Sequence, residues 1–197
     1  MEIASRVMDL YAQIDRSVAE FRLKSGLRCP AGCGACCPTA DVQVTVLEML
    51  PAAHRILRSG EALDWLARLA AAPESGGCLL YAPQPAPEAA GHCTFYIWRP
   101  ALCRLFGFAA VKDRSGAKAL SVCRRIKEED PRGAAAAVSL AAEAPCFTHY
   151  GSLVYALDPA LGNRLMPINS ALRHAIERAG LRQSFAYAET LRDNTAA

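Results

Sequence analysis

The chain has 197 residues, 52% of them hydrophobic, with a formal charge of +3 and nine cysteines. That length fits one domain over 1–197 that buries roughly 70% of its unfolded surface, so folding does not require disulfide or metal staples. The weak positive charge clusters only at Lys112, Arg114 and Lys118 and at Arg124, Arg125 and Lys127, which predicts no nucleic-acid partner.

Membrane insertion is not expected either. The longest apolar-looking run, 133–142, is alanine-rich and too short to span. Glu2, Arg6 and Asp9 interrupt the start of the chain, and no apolar core of a secretory signal follows. The expected compartment is cytoplasmic, where thiols stay reduced. An odd number of cysteines there argues against a closed disulfide framework, and four within nine residues are too many to be buried small hydrophobes.

Along the chain, residues 1–25 read as an amphipathic helix. Ile3, Val7, Leu10, Ile14, Val18 and Phe21 recur at steps of three and four, and Gly26 suits a C-terminal stop. From 27 to 41, glycines, prolines and four cysteines replace that periodicity; such a loop cannot fold on apolar burial, and a metal is its natural organiser. Thr45 and Glu48 have capping-box spacing for a helix carrying Leu47, Leu50, His54 and Leu57, with Pro51 as a shifted start or kink. Ser59 suits the cap of a next helix, with Leu63, Leu66, Ala67 and Ala70 inward, ended by Pro73 and Gly76-Gly77.

A second cysteine region spans 78–106. Its aromatic and β-branched residues predict short extended pieces around a Pro/Ala/Glu loop at 82–91, and Pro100 predicts a helical turn carrying Cys103. Asp113-Arg-Ser-Gly116 predicts a hairpin that delivers Cys123. Asp130-Pro131 starts an alanine-rich helix to about Glu143, stopped by Pro145; a last helix is expected from about Asn169 to Ala179, with Gly180 after it. The expected class is therefore mainly α, with a small irregular α+β cysteine-rich metal-binding core at about 28–125. A helix over 1–25 and C-terminal helices within 130–190 flank that core.

The chemistry lies in the cysteines. Thiolates are soft ligands that select zinc, copper(I) and iron–sulfur clusters. Zinc commonly uses two Cys-x2-Cys pairs, and only Cys33 and Cys36 have that spacing. A compact set, Cys29, Cys33, Cys36 and Cys37, with dispersed Cys78, Cys93, Cys103 and Cys123, fits iron–sulfur chemistry better, where one loop supplies several ligands and distant residues the rest. Adjacent side chains point apart in extended backbone, so Cys36 and Cys37 suggest two sites, one ligand and one free thiol, or a special turn. The grouping of the eight stays open.

Cys29-x3-Cys33-x2-Cys36 equals the radical-SAM cluster spacing. Ala35 stands where those enzymes usually place an aromatic, and the chain does not alternate strands and helices as their barrel does. Arg99 and Arg104 flank Cys103 and read either as charge compensation for thiolates or as ordinary carbonyl-bonding arginines. Tyr81, Tyr96 and Trp98 read as packing, and His92 as a solvated neighbour of Cys93. Cys146 reads as a buried thiol outside the set. No nucleotide-binding glycine motif and no nucleophile triad is present.

Cys29-Pro-Ala-Gly-Cys33-Gly-Ala-Cys36-Cys37, then Cys78, then Cys93-Thr-Phe-Tyr-Ile-Trp-Arg99-Pro100-Ala-Leu-Cys103-Arg104, resembles the YkgJ-like cysteine-cluster proteins, with their CxxCxxCC-type zinc- or iron-chelating domain, over about 28–125. The first gap here has three residues where the family motif is often written with two. The resemblance implies metal binding. One branch of that family resembles flagellin lysine N-methylases, larger proteins carrying the same cluster, and nothing in this sequence marks a methyl-donor site. The expectation is an iron–sulfur protein, with a cluster of the [4Fe-4S] type, serving electron transfer with a redox partner protein or a cluster-dependent reaction. The alternatives are a structural zinc protein and a metal-handling or storage protein.

Overall fold

The first helix of the computed structural model, α1 (Glu2–Ser25), is placed by its own stripe: Val7, Tyr11, Ile14 and Phe21 are fully buried, and Leu10 and Val18 nearly so. Residues 2–29, 33–39, 42–73, 76–83 and 91–195 are described. Gly26 ends α1 with φ of 71°, a left-handed value that a side chain would resist, and its N–H donates to the Arg22 carbonyl.

Helix α2 (Val46–Arg58) starts at the predicted capping box. The Glu48 N–H donates to Thr45 Oγ1 at 3.3 Å, and the Thr45 N–H donates to Glu48 Oε2 at 2.8 Å. The helix continues through Pro51, and Ser59 closes it rather than opening the next one. Helix α3 (Ala62–Ala71) follows Glu61 and buries Trp65 and Leu69, not the expected face. Leu63 is 81% exposed. The reason is aromatic: Trp65 meets Phe95 edge to face, with centroids 5.6 Å apart, and this contact sets the rotation of α3.

The cysteine-rich stretch contributes only short extended pairs, as its composition predicts. Strands β1 (Gln43–Val44), β2 (Tyr81–Ala82) and β3 (His92–Cys93) are two residues each, and β2 pairs antiparallel with β3. Residues 84–90 of the 82–91 loop and 30–32 of the first cysteine loop lie outside the described residues. A helical turn at Tyr96–Trp98 leads to α4 (Ala101–Leu105), capped by Pro100 and carrying Cys103. The hairpin β4 (Ala110–Lys112) and β5 (Lys118–Leu120) turns at Asp113, whose carboxylate accepts the Ser115 and Ala117 N–H groups.

Helix α5 (Arg124–Glu129) leads to α6 (Pro131–Ala137), which Asp130 caps by accepting the Gly133 N–H at 2.9 Å. The alanine run does not hold one helix to Glu143: a tight turn takes over at Val138–Leu140. Helix α7 (Phe147–Leu157) and the short α8 (Pro159–Gly162) fill a stretch to which the sequence assigned no separate element. Strand β6 (Met166–Pro167) returns to pair antiparallel with β1.

The last helix, α9 (Ile168–Thr195), runs far past the expected stop at Gly180. It packs chiefly on α2, and Leu57 of α2 lies within van der Waals reach of Gly180. Tertiary burial of Leu172 and Ile176 outweighs the roughly 1 kcal/mol penalty of one helical glycine. The three long helices α1, α2 and α9 thus form the apolar body, and the cysteine segments lie against α1, α2 and the start of α9. No helix among the described residues is long and apolar enough to cross a membrane.

Candidate metal centre

Five short segments present the eight candidate thiols, and each is fixed by bonds that do not involve sulfur. Residues 35–38 form a turn: the Cys37 N–H donates to the Gly34 carbonyl at 3.0 Å, and Thr39 Oγ1 donates to the Cys36 carbonyl at 2.7 Å. The Cys78 N–H then donates to the Cys37 carbonyl at 3.1 Å, which ties the second cysteine segment to the first. From the start of α9, Asn169 clamps the segment from both sides. Its Oδ1 accepts the Leu79 N–H, and its Nδ2 donates to the Gly77 carbonyl, each at 3.0 Å. Cys93 stands on β3 opposite Tyr81, Cys103 on α4, and Cys123 at the start of α5.

Glycines permit the close approach. A Cβ at Gly34 would fall onto the Gly91 carbonyl and within 2.7 Å of the Tyr81 ring. One at Gly91 would run into the Ala82 carbonyl and the same ring. The first cysteine loop can therefore lie on the β2–β3 pair only because both positions lack side chains. Gly107, with φ of 87°, plays the same part beside Cys123: an added Cβ would be 3.1 Å from the Cys123 Cβ.

A buried polar frame aims α4. Glu48 is almost fully buried, and its Oε2 accepts from the Thr45 N–H and hydroxyl while Oε1 accepts the Ala101 N–H at 3.1 Å. One carboxylate thus caps both α2 and the helix that carries Cys103. Burial raises its pKa above the ordinary carboxylate value, against the pull of those hydrogen bonds. The Tyr11 hydroxyl donates to the Glu48 carbonyl at 2.7 Å.

The two arginines beside Cys103 have different roles. Arg104 is 4% exposed, pairs with Asp15, donates to the Arg99 and Ile97 carbonyls and lies 4.4 Å over the Tyr11 ring. It holds the 97–104 segment to α1. Arg99 stacks 3.7 Å over Tyr96, and its charge also reaches Cys36 and Cys93. Both arginines bond carbonyls and pair with Asp15, Arg99 by donating to the Tyr96 carbonyl at 3.0 Å; the Arg99 charge acts on Cys36 and Cys93, and that of Arg104 on Cys103.

The thiols act on one another electrostatically in two overlapping sets. The Cys33, Cys123 and Cys36 thiols lie within electrostatic reach of Cys29. Cys37 interacts with Cys36, Cys93 and Cys78, while Cys103 interacts with Cys78, Cys36 and Cys93. Cys36 belongs to both sets. Its thiol and that of Cys37 act strongly on each other, and the turn at 35–38 replaces the extended backbone that would splay the adjacent pair.

Burial, and the neighbouring thiols after it, push Cys29 and Cys78 up to about 11 and Cys103 higher still. Burial raises Cys93 as well. Cys36 moves the other way, because Cys37, then its own backbone N–H and then the Arg99 charge favour its thiolate against the effect of burial, while Cys37 is driven up. Among the described residues, no three Cys, His, Asp or Glu side chains already surround a point that could hold a metal ion. The thiols are neighbours, held short of a common centre. The donor set is all sulfur, and soft cations or iron–sulfur clusters are the groups that such a set fits.

Other candidates stay apart. His92 is exposed beside Cys93, and His174 faces Glu177 on α9. Tyr81 accepts the Gly91 N–H on its hydroxyl at 3.0 Å, while Phe95 and Trp98 pack together. Cys146 is buried at the start of α7, with its sulfur 3.1 Å from Thr148 Oγ1. Against the effect of burial, the Thr148 hydroxyl and nearby backbone N–H groups keep its thiol below the ordinary value. Sequence reasoning missed the second role of Glu48, the Asn169 clamp and the paired glycines. Only Glu48 left a signal, the capping box itself.

A mainly helical frame with short extended pairs, holding eight free thiols from separated segments, defines a cysteine-cluster protein. Residues 28–124, about half of the chain, belong to the CxxCxxCC family, described as "Putative zinc- or iron-chelating domain". That span begins just before Cys29 and ends just after Cys123, so it contains all eight thiols. No curated protein and no solved structure matches the chain.

Proposed function

We propose that the protein holds iron–sulfur clusters of the [4Fe-4S] type for electron transfer or a cluster-dependent reaction. The observation that carries this reading is the all-sulfur set of free thiols that the five segments present. In this reading the eight form two groups of four, Cys29, Cys33, Cys36 and Cys123, and Cys37, Cys78, Cys93 and Cys103, with Cys36 also acting on the second group. Soft, purely thiol donors from dispersed segments favour iron–sulfur ligation over a zinc ribbon, whose paired Cys-x2-Cys spacing occurs here once.

A cluster held at such a site supplies one-electron chemistry. The chain's own residues bind and tune it. Arg99 offsets the negative charge of the thiolates at Cys36 and Cys93, Asn169 and Glu48 fix the segments bearing Cys78 and Cys103, and the raised thiols release protons when they ligate.

Purification without oxygen, followed by iron, zinc and acid-labile sulfide analysis, tests the choice of metal. The expected result is a brown protein containing iron and sulfide. Colourless protein with stoichiometric zinc and no sulfide would replace this reading with the structural zinc one.

A further inference from the structure

A groove of about 720 Å³ opens on the other side of the Trp98 turn, between α1, α2 and α9. Its floor is apolar, built from Ile3, Met8, Leu50, Leu57 and one face of Trp98. Its charged lining is of one sign: Arg58 from α2 and Arg178 and Arg182 from α9, with no carboxylate among the described lining residues. Ser5, His54 and Gln183 complete the polar lining. None of the three arginines has a carboxylate or hydrogen-bond partner among the described residues, as is true of several arginines elsewhere on the surface. Arg55, 5.9 Å over the Trp98 ring, adds positive charge beside the groove.

An apolar concavity of this size with a few polar groups on one edge is the usual form of a small-molecule site. The one-sided charge selects the ligand's head, and the floor selects its body. We infer that this groove binds an amphipathic carboxylate, an apolar chain ending in a carboxyl group, with Arg178 and Arg182 pairing the carboxylate and the chain lying on Met8, Leu50 and Trp98. Guanidinium groups suit this head because they donate two parallel hydrogen bonds to a carboxylate. The inference is independent of which metal the thiols hold, because no groove residue is a thiol or touches one in the bonds described above.

The test is a calorimetric titration of the full-length protein, purified without oxygen, with dodecanoate below its micelle concentration. Dodecanol and dodecyltrimethylammonium serve as controls. A bromine-tagged dodecanoate reports location by quenching tryptophan fluorescence in the protein and in Trp98→Phe. The expected result is saturable dodecanoate binding, with the uncharged and cationic controls at least about tenfold weaker. The double variant Arg178→Glu/Arg182→Glu should lose about tenfold or more in affinity, and Trp98→Phe should lose most of the quenching. Both arginines are exposed, so the variant should keep its circular dichroism. No saturable binding, equal binding of the cationic control, or unchanged affinity in the double variant would overturn the assignment. So would groove binding only of an acidic polypeptide and not of dodecanoate.

Discussion

Replacing Glu48 by glutamine isolates the polar frame behind Cys103, because shape is kept and only acceptor capacity changes. Three donors converge on this carboxylate: the Thr45 N–H and hydroxyl on one oxygen and the Ala101 N–H on the other. A glutamine has one oxygen, so its NH₂ must face either Thr45 or Ala101, and at least one buried backbone donor loses its acceptor. An unsatisfied buried N–H costs about 1–3 kcal/mol, while removing a buried charge returns part of that. The net expectation for Glu48→Gln is about 1–2 kcal/mol of lost stability. At a typical urea dependence this lowers the unfolding midpoint by roughly 0.5–1 M. The loss should come with reduced metal content, since the Ala101 contact fixes the helix bearing Cys103. An unchanged midpoint together with full metal content would refute the reasoning that one carboxylate caps both helices.

Gly34→Ala should leave the helical circular dichroism intact and lower metal content severalfold, because the added methyl meets Gly91 backbone rather than a movable side chain; full metal loading would refute the close-approach argument. Metal affinity should rise with pH between 6 and 8 by roughly tenfold per unit for each proton displaced, since burial holds Cys29, Cys78 and Cys103 protonated through that range. The sign follows because a raised thiol must lose its proton to ligate, so acid competes with the metal; a competition titration against a chelator at several pH values measures it, and a flat profile would count against thiol ligation. Trp65→Ala should cost about 3 kcal/mol in thermal or urea unfolding, because it removes both the α3 anchor and its edge contact with Phe95. Cys146→Ser should leave metal content unchanged, and a loss of metal there would add a ninth thiol to the centre.

The readable parts of the fold were those set by local chemistry. The α1 stripe, the Thr45–Glu48 box, the Asp113 turn and the Asp130-Pro131 start each rest on residues within one or two turns of one another. The unreadable parts were set by partners far away in sequence. α9 runs through Gly180 because α2 buries it, and α3 turns Trp65 inward because Phe95 waits there, thirty residues on. The site divides along the same line. Spacing and softness singled out eight candidate thiols, and residues 28–124, which match the family's domain, contain all of them. What brings their segments together was not legible, because the 35–38 turn and the meeting of Gly34 with Gly91 leave no local pattern. Arg99 and Arg104 looked alike in sequence, and both pair with Asp15; the near-complete burial of Arg104 separates them.

The most direct measurement is metal per chain in Cys103→Ser and Cys123→Ser, prepared without oxygen and compared with the unaltered protein. If the thiols form two groups of four meeting at Cys36, each variant loses about half of the iron and sulfide and the double variant loses nearly all. Full metal in either single variant, or complete loss in both, would contradict the two-group account.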